Sequence, residues 1–257
     1  MIEIDQTNDH NQKVVALIPA YNEVLSIADV AKRVLAQNVK LIVVDDGSTD
    51  GTVEALKYLD VQVICHETNS GKAASLMTGF KAALSDPDIA GVVTLDGDGQ
   101  HQPEDISKMI EAYQQHPGQI IIGSRLHDRE QFPPERLRAN EIANFWISWA
   151  AGYAIEDSQS GFRFYPTELL RNTSISHDRD RSFVFESEIL IRAARSGIKS
   201  HAVPIPAIYD SENHRPSHFR PVADIVLIVR MVAWQLISRA MYPQGLYQLL
   251  REKCKKT

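Results

Sequence analysis

The feature that most constrains this chain is the alternation of short, β-branched apolar runs with helical periodicities through its first half. VVALIP (14–19), closed by Pro19, reads as a buried strand, and Val24, Ile27, Ala28, Ala31, Val34 and Leu35 then recur at helical spacing. KLIVVDD (40–46) is a second strand, after which Asp50 is placed to cap a helix beginning near Gly51. VQVIC (61–65), a helix over 71–84, GVVTLD (91–96), a helix near 104–115 and QIIIG (119–123) continue the series. Strands that alternate with helices imply βαβ crossovers and a mostly parallel sheet, so the expected fold class is α/β.

Beyond 124 the rhythm loosens. LHDREQFPPER (126–136) reads as a loop, and 137–151 as a helix with Ile142, Phe145, Trp146 and Trp149 on one face. A strand near 162–165, a helix over 184–196 and a strand near 200–205 follow. With 257 residues and no internal repeat, 1–220 is expected to form one domain and 221–257 an amphipathic, basic helical extension.

Charge sharpens that division. Residues 213–257 carry eight basic and two acidic side chains, net +6, against 19 basic and 31 acidic elsewhere, net −12. Within the basic part, 225–237 is apolar at eleven of thirteen positions. That is short of the ~20 residues a spanning helix needs, so the segment is expected to lie on a membrane surface, with a helix packed into the protein core or a dimer interface as the alternatives. Nucleic-acid binding does not fit a body of net −12. The polar, acidic N-terminus is unlike a signal peptide, and Cys65 and Cys254 form no paired framework. A cytoplasmic chain at the cytoplasmic face of a membrane is the expectation.

In open parallel sheets, ligands sit beyond the carboxyl ends of the strands. Here those ends carry PAYNE (19–23), DDGSTDG (45–51), NSGKAAS (69–75) and DGDGQH (96–101). Three familiar phosphate or metal motifs fail on spacing. A GxGxxG would need Gly where Gln102 stands; a P-loop ending at Lys72 would need Gly in place of His66; an EF-hand from Asp96 would need Gly in place of His101. Asp96-Gly97-Asp98 remains: two carboxylates one residue apart after a buried strand, suited to Mg2+ or Mn2+ shared with a diphosphate. Lys72, at a helix N-terminus, adds positive charge for phosphate.

PAYNE, VVDDGSTDGT, NSGKAAS, LDGDGQH, GSR (123–125) and SGFRFY (160–165) occur in the order seen in glycosyltransferase family 2. Over about 14–210 the chain resembles that family's dolichyl- or polyprenyl-phosphate sugar transferase branch. The resemblance implies the GT-A fold, with a metal held by a DxD motif. It implies that Pro19, Tyr21, Glu23 and Asp46 surround the base and ribose of a nucleotide sugar. It places Asp96 and Asp98 at the metal and diphosphate, with Gln100 as a further metal ligand. Arg125 and Arg163 match positions that hold acceptor or phosphate groups, although either also suits a structural salt bridge. Asp157 matches an acid facing the reacting centre, and Glu188 a common glutamate that either catalyses or orients an arginine. The branch's Ser-Lys pair is not reproduced: His218 stands where lysine is expected, leaving Arg215, His218 and Arg220 to bind a diphosphate.

The expected activity is therefore metal-dependent, inverting sugar transfer from a UDP- or GDP-sugar to a lipid-linked phosphate or a hydroxyl. For a hydroxyl acceptor, Asp157 is the expected base. A silent nucleotide-sugar sensor or membrane adaptor, and a nucleotidyltransferase, are the rivals. The latter class opens with a Gly-rich basic loop, where this chain has AYNEV.

Overall fold

The computed structural model describes residues 13–128, 132, 134–172, 184–208 and 221–256. Seven strands form one sheet: β1 (Val14–Ala20), β2 (Lys40–Asp45), β3 (Gln62–Cys65), β4 (Gly91–Thr94), β5 (Ile120–Ser124), β6 (Arg163–Pro166) and β7 (Ser200–Pro204). Their order is β3-β2-β1-β4-β6-β5-β7. Every strand run expected from the sequence is present, displaced by at most two residues at an end.

The sheet is mostly parallel, as the alternation requires. The exception is β6, which runs antiparallel to both β4 and β5 and joins the two parallel halves. Because Arg163 at the start of β6 pairs with Thr94 at the end of β4, the 157–162 segment arrives where the parallel strands finish. Successive residues of β1 feed opposite faces: Val15 and Leu17 enter one core, and Val14, Ala16 and Ile18 the other.

Helices α1 (Ile27–Leu35), α2 (Thr52–Leu56), α3 (Lys72–Ala83) and α4 (Ile106–Gln115) are the crossover helices of the first half, α4 being preceded by a 3₁₀ turn at Pro103–Asp105. α5 (Pro134–Ala151) starts three residues before the expected 137, with Pro134 at a first helical position, where its missing N–H costs nothing. Its aromatic cluster forms: Trp146 and Trp149 stack at 5.3 Å between ring centres. α6 (Thr167–Asn172) and α7 (Phe185–Arg195) complete the body.

The C-terminal segment is two helices, α8 (Pro221–Ile237) and α9 (Pro243–Lys256), and both pack onto the body. Ile228, Val232 and Leu236 share one core with Ile147 of α5 and Ile189 of α7. The Trp149 indole N–H donates to the Tyr242 carbonyl, and Glu252 accepts from the Ala154 N–H. The expected extension beyond 220 thus buries part of its apolar stripe instead of offering it to a surface; the side chains of Ile225 and Val226 lie outside the described residues. Among the described residues no helix is long and apolar enough to cross a membrane.

Candidate active site

Register brings the polar loops to one edge. Ala20 pairs with Asp45 and Leu17 with Thr94, so the loops after β1, β2 and β4 leave side by side. Side chains then tie them together. Asn22, in the left-handed region at φ 56°, donates its N–H to Ser48 Oγ, and its Oδ1 accepts from the Thr49 N–H. Glu23 N–H donates to Thr52 Oγ1, and Val24 N–H to Asp50, whose other oxygen accepts from the Thr52 N–H. Ser26 Oγ donates to the Gly97 carbonyl at 2.7 Å, attaching the β1 loop to the DGD turn. Asp45 accepts from the Ser48 N–H and shapes the turn.

Pro19 and Tyr21 are half-buried at the end of β1, and Glu23 is buried. Asp46 differs from the expectation of a carboxylate turned to the ribose. It is buried, and its oxygens already accept from the Ser70 and Gly71 N–H groups and pair with His66 Nδ1, so it secures the loop before α3. Gly47 beside it has φ 75°, and a Cβ there would come within 2.9 Å of the Thr68 backbone.

The charged centre gathers around Gly161. Lys72 Nζ lies 2.6 Å from Asp96 Oδ1 and 3.1 Å from Glu186 Oε1. A Cβ on Gly161 would sit 3.0 Å from each of those three groups, so any larger residue would push the cluster apart by a few tenths of an ångström. Burial alone would raise the Asp96 pKa, but the Lys72 charge, with lesser help from Arg125, holds it at about 2. The Lys72 ammonium is correspondingly pushed above the usual lysine range: burial opposes its charge, and Asp96 and Glu186 outweigh burial. Asp98 behaves oppositely. Crowding by the protein atoms of the turn, which thins the water around an otherwise exposed carboxylate, and the like charge of Asp96 raise it. Its side chain is exposed, as is Gln100, whose N–H donates to Asp98 Oδ1. His101 Nδ1 accepts from the Asp96 N–H, and burial lowers its pKa, so the ring is neutral there.

Three expected site residues turn out differently. Asp157 is fully buried at φ 46°, and its carboxylate accepts from the Arg125 N–H, Nε and Nη2 and from Asn140 Nδ2, all within 3.0 Å. Burial opposes its ionisation, but these bonds hold its pKa low. A carboxylate so engaged positions Arg125 and is a poor proton acceptor. Arg163 is fully buried and cannot reach an acceptor: its guanidinium donates to the Ser160, Ser158 and Glu186 carbonyls and to the Tyr165 hydroxyl. Glu188 pairs with Arg192 at 2.7 Å, whereas Glu186, two residues earlier, enters the site. Arg215, His218 and Arg220 lie outside the described residues.

The described residues contain no cluster of three His, Cys, Asp or Glu side chains able to hold a metal. Asp96 and Asp98 still fit a hard cation, because Mg2+ and Mn2+ need only one or two carboxylates when diphosphate oxygens and water complete the shell. A cation already stands on one of these oxygens, the Lys72 ammonium.

A seven-stranded α/β sheet with a DxD turn and two cations at its carboxyl edge defines a GT-A glycosyltransferase, and solved structures share the fold. Mannosyl-3-phosphoglycerate synthase from Rubrobacter xylanophilus superposes with a TM-score of 0.66 at 16% identity, covering 91% of this chain and 78% of that one. Glucosyl-3-phosphoglycerate synthase from Mycobacterium tuberculosis, in complex with Mn2+, UDP and glucosyl-3-phosphoglycerate, gives 0.61 at 18% identity, covering 90% and 81%. The family model for glycosyl transferase family 2 matches residues 15–185, and the chain belongs to that family. Among curated relatives, the UDP-N-acetylglucosamine–dolichyl-phosphate N-acetylglucosaminyltransferase of Methanococcus voltae is 33% identical over 219 residues, 76% of this chain and 86% of that protein. The polyprenol monophosphomannose synthase of Mycolicibacterium smegmatis is 30% identical over 205 residues, 76% and 77%.

Proposed function

We propose that the protein transfers a sugar, with inversion, from a UDP- or GDP-sugar to a lipid-linked phosphate, using a divalent cation held by Asp96 and Asp98. The observation that carries this reading is the carboxylate pair at the end of β4, with Lys72 and Arg125 close enough to act on it electrostatically. Relatives named for dolichyl- and polyprenol-phosphate acceptors support the acceptor class, and the Mn2+ and UDP in a solved neighbour support the donor side.

The residues divide the work as follows. The loop 19–23, clasped to 48–52, forms the wall against which base and ribose rest. Asp96 and Asp98, with Gln100 beside them, hold the cation, which would neutralise charge on the departing diphosphate. Arg125, fixed by Asp157 and Asn140, places a guanidinium for the acceptor phosphate. Electrostatic stabilisation of this kind is commonly the largest catalytic contribution. A phosphate acceptor is already anionic and needs no base, which matches an Asp157 committed to Arg125. A hydroxyl acceptor would demand a base that Asp157 does not supply in this arrangement.

A thermal-shift series with UDP- and GDP-sugars tests the donor side. A ligand at 100 times its Kd stabilises the fold by about 2.7 kcal/mol, and the shift should appear only with Mn2+ or Mg2+ present. Equal melting with every nucleotide sugar, metal or no metal, would remove this reading.

We also propose peripheral contact with an anionic membrane, through the face of α8 that the body leaves open. Trp234 is 70% exposed and Ile237 62%, with Arg230 and Arg239 exposed nearby. Apolar side chains flanked by cations suit an interfacial site, each basic residue contributing ~1 kcal/mol. The full chain should co-float with anionic liposomes at low salt, and Trp234→Glu combined with Ile237→Glu should return it to the soluble fraction. Co-flotation unaffected by that pair would assign the contact elsewhere.

A further inference from the structure

We propose that Lys72 competes with the divalent cation for Asp96, and that the donor diphosphate, by drawing the Lys72 ammonium away, makes cation and nucleotide bind cooperatively. The inference rests on the metal-dependent reading above and adds to it a built-in coupling between the two ligands.

The geometry carries it. Lys72 Nζ is 2.6 Å from Asp96 Oδ1, so the ammonium occupies the lone-pair side of an oxygen that a cation would use. Two positive centres on one carboxylate oxygen repel, and Mg2+ or Mn2+ must displace the ammonium to coordinate there. Lys72 has somewhere to go. Glu186 Oε1 is also 3.1 Å from Nζ, so leaving Asp96 does not leave a cation unpaired. Gly161, with no Cβ, allows both carboxylates to approach the same ammonium. Lys72 also stands at the first residue of α3, where the positive end of the helix dipole adds to the attraction for an anion. A diphosphate there offers the ammonium a third partner and unblocks Asp96. Linkage requires the converse: the cation, by displacing Lys72, tightens the nucleotide by the same factor.

Titration of the full chain with Mn2+, followed by the electron paramagnetic resonance signal of the free ion, reads this without turnover. In the wild type, UDP or GDP should tighten Mn2+ on the order of tenfold or more, within the usual range of coupling between sites. In Lys72→Met, Mn2+ should bind several-fold tighter without nucleotide, and the effect of nucleotide should shrink. Glu186→Gln removes the alternative partner, so Mn2+ without nucleotide should bind more weakly than in the wild type. In the Lys72→Met background the same Glu186→Gln change should have little effect. A general charge effect would instead move both backgrounds equally, and that result overturns the proposal. Lys72→Arg keeps the charge and should keep the wild-type pattern; Lys72→Gln serves if the methionine variant does not fold. Nucleotide-dependent Mn2+ binding in the wild type with unchanged or weaker Mn2+ in a folded Lys72→Met sinks the competition and leaves the metal reading standing. No Mn2+ binding by any variant under any condition overturns both.

Discussion

Asp98→Ala is expected to lower turnover by roughly 10²–10³-fold or more, the usual consequence of removing a preorganised electrostatic group from a transferase site, while the protein unfolds as the wild type does. The side chain is exposed, and its one hydrogen bond in the structure accepts the Gln100 N–H two residues on. Losing it should change stability by no more than ~0.5 kcal/mol. Catalysis is a different matter. Asp96 is engaged by Lys72, so on the metal-dependent reading Asp98, the exposed carboxylate of the pair, is the one that would meet an incoming cation. Steady-state assays at saturating metal, beside a thermal melt, check both halves. Retention of more than about a tenth of wild-type activity would mean that Asp98 holds nothing that the transition state needs.

Arg163→Met should cost about 3–5 kcal/mol of unfolding free energy, the range seen when one member of a buried ionic or charge-assisted network is removed. Methionine fills much of the volume but donates nothing. The carbonyls of Ser158, Ser160 and Glu186 would each lose a donor, and an orphaned buried acceptor costs ~1–3 kcal/mol. Urea unfolding monitored by fluorescence measures this directly. Those carbonyls belong to the segment before Gly161 and to the start of α7, so surviving protein should also misplace Glu186 and lose activity. A change under ~1 kcal/mol would show that water or neighbouring donors replace the guanidinium readily.

Much of the fold was legible because buried parallel strands are written as continuous apolar runs: VVALIP, KLIVVD and QIIIG became β1, β2 and β5 almost unchanged. The place of the carboxylate pair was legible for a similar reason, since Asp96 and Asp98 follow directly on the apolar run that becomes β4. Arginine roles were less so. Sequence places Arg125 and Arg163 on the same edge but says nothing about where a long side chain turns, and one is half-exposed while the other is wholly interior. Asp157 misled in the same way: the family resemblance suggested a base, whereas its bonds to Arg125 and Asn140 make it a support for Arg125. Glu186 and Glu188 differ by two positions and so point to nearly opposite sides of one helix, and sequence alone does not say which side faces the site and which meets Arg192. The clasps from Asn22, Asp50, Thr52 and Ser26 had no signal of their own, because each joins loops that are neighbours in space alone.

The place of β6 bears on how the molecule is made. Strands β1 to β4 can zip together in the order of synthesis, each finding its partner soon after it leaves the ribosome. β5 emerges next but cannot join them, because the slot beside β4 belongs to a strand encoded some forty residues later. Until 163–166 is threaded into that slot, both β4 and β5 present unsatisfied, sticky edges, the kind of surface that recruits other nascent chains. The same insertion delivers Gly161 beside Lys72 and Asp96. β7 and Glu186 are encoded later still, so the sheet and the charged centre are both completed only by the last third of the chain.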